Sequence, residues 1–97
     1  MYRRHYFVYI LTNSTHTVLY TGVTNHLSRR IFEHTYHMGS SFTSKYNVTN
    51  LVYYEIFMDI KEAIKREKQI KAGSRQKKVN LIHSMNPKWE NLFKKIF

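Results

Sequence analysis

Glu67 lies in the run from Ile60 to Lys71, where a helical periodicity places Ile60, Ala63, Ile64 and Ile70 on one face and Glu67 in the middle of it. A carboxylate avoids an apolar face unless it is paired or coordinated. The spacing therefore leaves two readings: an ion pair with a nearby Arg or Lys, or a metal-binding carboxylate facing a cleft. The flanks bear on that choice. Lys61, Lys65, Arg66, Lys68, Lys71, Arg75, Lys77 and Lys78 place half of the chain's 16 Lys and Arg residues between positions 61 and 78. One inward carboxylate beside many cations suits a divalent metal held next to a phosphate. A solvated helix face carries such a charge run too.

Arg30 and His34 stand four apart, so on a helix they share a face. Together they offer a guanidinium that grips a phosphate as a fork and an imidazole close enough to share a proton. Tyr9 and Tyr20, taken singly, read as packing aromatics. They become interesting only beside Arg30, His34 and Glu67. Other chemistries are poorly supported. His34 and His37 could pair on a helix as zinc ligands, but no cysteine or further carboxylate completes the set. The chain has no glycine-rich phosphate loop, nucleophile elbow or paired-carboxylate site. Tyr36, Phe42 and Tyr46 could stack on bases or simply pack.

The elements that must position these groups can be read in order. His5 to Leu11 and Val18 to Val23 are tyrosine-bearing apolar runs joined by a short polar link, which predicts an antiparallel hairpin with the first strand central. Gly22 leaves its face bare, which suggests close approach by another backbone or a ligand. Asn25 is the expected N-cap of a helix from Leu27 to about Tyr36. A polar loop from Met38 to Tyr46 follows, then a third strand from Leu51 to Phe57. Asp59 and Glu62 form a capping box for a helix from Ile60 to about Lys71, with Gly73 as its C′ residue. Ser74 caps a further helix to about Met85. Asn86 and Pro87 are the expected start of a last helix, Lys88 to Ile96, whose Trp89, Leu92, Phe93 and Ile96 close the core. The predicted fold class is α/β (α+β): a three-stranded antiparallel sheet flanked by helices, in the order β-β-α-β-α-α-α.

The chain has 97 residues, which predicts one domain spanning residues 1–97. Its net charge of +10 points to an anionic partner, nucleic acid ahead of an anionic membrane. The absence of cysteine excludes disulfides and thiolate chemistry. The apolar run behind Arg3 and Arg4 is short and reads as a strand, not a signal peptide. No run is long enough to span a membrane. The sequons at Asn13 and Asn47 read as chance matches, and a cytoplasmic location is the default expectation.

These residues resemble the GIY-YIG nuclease family over about 90 residues, essentially the whole chain. Phe7-Val8-Tyr9 stands for the first triplet of the family's name and Tyr20-Thr21-Gly22 for the second. Arg30 and His34 occupy the positions of the family's helix arginine and histidine, and Glu67 matches its metal-binding glutamate. The Asn86 to Trp89 segment is similar to one in small stand-alone, uncharacterised members of UPF0213 type. The chain departs at Phe7 and Val8, and at Val23, where several relatives carry lysine. Asn80 and Asn86 are both candidates for a later family asparagine.

The resemblance implies a metal-dependent endonuclease that hydrolyses DNA phosphodiester bonds, with branched or damaged DNA as a candidate substrate. It implies Mg²⁺ or Mn²⁺ on Glu67 at the leaving 3′ oxygen, Tyr9 or Tyr20 as the group that deprotonates water with His34 as relay, and Arg30 on the phosphate. Free tyrosine has a pKa of ~10, and Arg30 and the ion are expected to lower it. Arg29, Lys65, Lys68, Lys71, Arg75, Lys77 and Lys78 are the expected nucleic-acid contacts. Nuclease relatives usually add a DNA-binding domain, so a partner protein is a candidate for setting the substrate. The alternatives are a non-catalytic nucleic-acid-binding module that keeps the fold, and a basic adaptor for an acidic surface.

Overall fold

The computed structural model describes residues 4–36 and 45–96 of the chain. His37, Phe42 and most of the predicted polar loop fall outside them. The elements are β1 (Tyr6–Thr12), β2 (Leu19–Thr24), α1 (Leu27–Thr35), β3 (Asn50–Phe57), α2 (Ile60–Ala72), α3 (Arg75–Met85) and α4 (Phe93–Ile96). They form one three-stranded antiparallel sheet in the order β2-β1-β3, with helices on both faces. The central position predicted for β1 is observed: Val8, Ile10 and Leu11 are fully buried. A strand covered on both faces reads as a continuous apolar run because neither set of alternating side chains meets water.

That alternation separates two cores. Val8 and Ile10 face one side, with Ala63 and Ile70 of α2 and Ile82 of α3. Tyr9 and Leu11 face the other, with Leu27 and Ile31 of α1, Val48 and Leu51. Helix α2 lies over β1 and β2, while α3 packs against β3. No described helix is long and apolar enough to cross a membrane.

The hairpin is closed by Asn13, whose Oδ1 accepts hydrogen bonds from the Thr17 and Val18 N–H groups at 2.9 and 3.2 Å. His16 takes a left-handed backbone conformation in the turn, φ 58°. Arg75, at the start of α3, donates to the His16 and Thr17 carbonyls at 2.7 and 3.2 Å and ties the hairpin tip to α3. These contacts fix the register in which Tyr9 stands directly opposite Gly22. The bare face of Gly22 is covered by the Tyr9 ring: a Cβ at position 22 would lie 2.4 Å from the Tyr9 hydroxyl oxygen.

Several predicted boundaries change. Helix α1 is capped by His26, not Asn25; the His26 Nδ1 accepts from the Arg29 N–H at 3.2 Å. Asp59 and Ser74 cap α2 and α3 through the Lys61 and Lys77 N–H groups. Gly73 ends α2 with an ordinary φ of −75°, so no left-handed cap is used. The inward side of α2 is Ala63 and Ile70, whereas Ile60 and Ile64 are 40% and 39% exposed. Ala63 brings the helix close to the sheet, and the closest contact falls to one side of the wheel's apolar centre.

The predicted Lys88 to Ile96 helix is the largest correction. Asn86 ends α3 and does not start a new helix: its N–H donates to the Ile82 carbonyl. Its buried side chain donates to the Val52 and Glu90 carbonyls at 3.2 and 2.8 Å and accepts from the Glu90 N–H at 2.9 Å. Trp89 then turns at φ 56°, which breaks any helix there. Its ring stacks on His16 at 4.7 Å. Leu92 and Phe93 instead join the Tyr9 side of the sheet. The Leu92 N–H donates to the Leu51 carbonyl at 2.7 Å, so this segment covers part of the outer edge of β3.

Gly22→Ala must displace the buried Tyr9 ring. We expect a loss of about 1–3 kcal/mol of unfolding free energy in urea and a change in the near-ultraviolet circular dichroism of the tyrosines. Unchanged values in both would show that the ring moves aside without cost.

Candidate active site

Tyr9 and Tyr20 reach the site from adjacent strands, and Arg30 and His34 from successive turns of α1. The three rings of Tyr9, Tyr20 and His34 form a triangle with centroids 6.5, 6.0 and 5.4 Å apart. The predicted Arg30–His34 pairing on one helix face is observed, but the two residues differ in surroundings. His34 is fully buried, whereas Arg30 is partly exposed and pairs with Glu33 at 3.1 Å.

The Tyr9 hydroxyl lies 3.2 Å from His34 Nε2. Burial, and secondarily the Arg30 charge, lowers the His34 pKa from 6.5 to about 4, against the opposing pull of Glu33. At neutral pH the imidazole is therefore uncharged and has one unprotonated nitrogen. The neighbouring Tyr9 raises the guanidinium pKa of Arg30 above its ordinary value; Glu33 and Tyr20 add to that rise, and burial opposes it. If the Tyr9 hydroxyl donates to His34 Nε2, the imidazole proton sits on Nδ1.

Tyr9 itself is pushed up to about 12, chiefly by burial; Arg30 pulls down, while Tyr20 and Glu67 push up. Arg30 thus pulls the Tyr9 pKa down, in the expected direction, but desolvation is the larger effect and the net shift is upward. Tyr9 is a neutral phenol at pH 7.

Glu67 comes from α2, on the opposite face of the sheet, yet its charge is felt at Tyr9. Its side chain is 14% exposed, and one carboxylate oxygen lies 3.0 Å from Lys71 Nζ. Both readings of the sequence bear on this position, since the carboxylate is paired and also stands near the Tyr9 group. Among the described residues no set of three or more His, Cys, Asp or Glu side chains could hold a metal. A cation at Glu67 would thus have fewer than three such side chains among the described residues. That donor set fits Mg²⁺ or Mn²⁺ completed by water and phosphate oxygens, and does not fit zinc.

The cation run proves to be divided. Arg75 holds the hairpin tip, and Lys78 Nζ donates to the Lys71 and Gly73 carbonyls at the end of α2. Arg29, Lys65, Lys68 and Lys77 are exposed. Arg66 grips the Glu55 carboxylate through Nε and a terminal nitrogen, each at 3.0 Å. Burial alone would raise the Glu55 carboxyl, but Arg66 and Tyr53 outweigh it and hold it below the usual range. This second partly buried carboxylate was not visible in the sequence. Its partner is remote in the chain, and the alternation of β3 gives an ordinary strand position. A groove of about 330 Å³ between α2 and α3 is lined by Arg66, Gln69, Ile70, Lys77 and Leu81, among others.

A hairpin tyrosine pair facing a helix arginine and histidine, with a glutamate on the next helix, is the arrangement expected of a GIY-YIG domain. Residues 5–80 match the family model described as the GIY-YIG catalytic domain. The chain belongs to the GIY-YIG family, and within it to the UPF0213 group. It is 41% identical to a UPF0213 protein of Clostridium perfringens over 93% of this chain and 96% of that one. It is 44% identical to one from Staphylococcus saprophyticus over 66% and 78% of the two chains. The solution NMR structure of a UPF0213 protein from Bacillus halodurans is similar at 32% identity, with a TM-score of 0.58 over 93% of this chain and 95% of that one.

The pH dependence of stability follows from His34. Its unfolded imidazole takes a proton near pH 6.5 and the folded one only near 4, so the unfolded state binds more protons between these values. Stability should fall as pH drops through that window, by on the order of 2 kcal/mol. Urea unfolding at several pH values should show this loss in wild type and a smaller one in His34→Gln. Equal acid sensitivity in both would contradict it.

Proposed function

We propose that the protein is a metal-dependent endonuclease that hydrolyses DNA phosphodiester bonds, with Tyr9, Tyr20, Arg30, His34 and Glu67 as its catalytic residues. The observation that carries this reading is the Tyr9 hydroxyl 3.2 Å from Nε2 of the uncharged His34, with Arg30 near enough to act electrostatically on both. A phenol with a pKa of about 12 is a poor base by itself. Coupled to an unprotonated imidazole nitrogen it can relay a proton: water gives one to the Tyr9 oxygen as the Tyr9 proton passes to His34 Nε2. The water oxygen bonds to phosphorus and the P–O3′ bond breaks, leaving a 5′-phosphate. Imidazolium forms in a site that disfavours it, so the proton is readily returned to solvent after the step.

Arg30 offsets charge on the phosphate oxygens. Tyr20, with Tyr9, favours the charged form of that guanidinium. Glu67 would hold Mg²⁺ or Mn²⁺, which supplies stabilisation of the developing charge on the leaving 3′ oxygen. Arg29, Lys65, Lys68 and Lys77, all exposed, are the cations best placed to track a nucleic-acid backbone.

Cleavage of labelled branched, nicked, single-stranded and duplex DNA with Mn²⁺ or Mg²⁺ tests the reading. Wild type should cut at least one of these, and Glu67→Gln and Arg30→Ala should each lower the rate by 10²-fold or more with folding intact by circular dichroism. Binding without cleavage on every substrate would support the non-catalytic binding module instead.

A further inference from the structure

Lys71 stands four residues after Glu67, with its Nζ 3.0 Å from Glu67 Oε2. The two side chains are unequal: Glu67 is 14% exposed and Lys71 54%. The carboxylate is fixed against the fold, while the ammonium ends a flexible stem that reaches in from solvent. The neighbouring cations are differently engaged. Arg66 is locked on Glu55 by three hydrogen bonds, and Lys78 is locked on the α2 terminus. Among these, Lys71 alone meets its carboxylate from an exposed position on the helix flank where an ion would bind.

Resting on the metal-binding reading of Glu67, we propose that Lys71 is a displaceable stand-in for the divalent ion. It neutralises Glu67 while no ion is bound, gives up the carboxylate when one binds, and is then free to contact a substrate phosphate. Two features make the exchange feasible. An ion at Glu67 would have fewer than three His, Cys, Asp or Glu side chains among the described residues and depend on water and phosphate for its other ligands. An i,i+4 ion pair with one exposed partner is itself weak. The two cations therefore compete on comparable terms, and arrival of the ion with its substrate both empties the Lys71 contact and offers Lys71 a new anion.

Mn²⁺ binding to the full chain without DNA, followed by electron paramagnetic resonance of free Mn²⁺, tests this in wild type, Lys71→Met, Lys71→Arg and Glu67→Gln. Lys71→Met should bind Mn²⁺ about two- to fivefold tighter than wild type, Lys71→Arg should bind like wild type, and Glu67→Gln should lose the site. Loss of the site in Glu67→Gln with no gain in Lys71→Met would overturn the proposal and leave the metal reading standing. Equal Mn²⁺ binding in wild type and Glu67→Gln, or none in either wild type or Lys71→Met, would overturn both. A second measurement addresses the freed ammonium. The salt dependence of DNA binding in Lys71→Met should be shallower than wild type by about one phosphate contact when Ca²⁺ is present, and unchanged when it is absent. The same difference in both conditions, or in neither, would contradict the exchange.

Discussion

The Tyr9 ring lies across Gly22 because that position carries no Cβ, and the other groups at the site are arranged around the ring. Strand register sets Tyr9 opposite Gly22, and the alternation of β1 turns both toward α1. The ring then sets its hydroxyl 3.2 Å from Nε2 of His34, one helical turn after Arg30 on α1. A residue with a side chain at position 22 would move the phenol away from both. Local backbone geometry at a single pair thus decides whether a proton path exists.

Burial then determines what that path can do. The same desolvation that raises Tyr9 lowers His34, so the pair rests as a neutral phenol beside a neutral imidazole. Neither group is strongly acidic or basic alone. In the proposed relay their 3.2 Å contact would carry the proton from one to the other. Glu67 adds negative charge from the opposite face of the sheet, which makes a nearby cation favourable. Lys71 supplies one, 3.0 Å away.

Much of this was legible in the sequence, for identifiable reasons. β-branched and aromatic runs marked the strands, and Asp59 and Ser74 marked two helix starts, because these signals are local. The spacing of Arg30 and His34 put them on one helix face, and the resemblance to the GIY-YIG pattern added Tyr9 and Tyr20 to them. What was missed depended on remote partners. Asn86 looked like an N-cap until its side chain bridged Val52 and Glu90. The cation run read as one surface, but Arg66, Arg75 and Lys78 are tied to other parts of the fold. The direction of the Tyr9 shift depended on how deeply the ring is buried, which spacing does not record.

The tautomer of His34 tests the central claim most directly. Nitrogen-15 correlation spectra of the imidazole rings, with His34 assigned by comparison with His34→Gln, report which nitrogen carries the proton. At about pH 6, below the ordinary histidine pKa of ~6.5, the His34 ring should still be neutral, with Nδ1 protonated and Nε2 bare. Tyr9→Phe should shift the Nε2 signal. An imidazolium at that pH, or a neutral ring protonated on Nε2, would contradict the proton path from Tyr9 to His34.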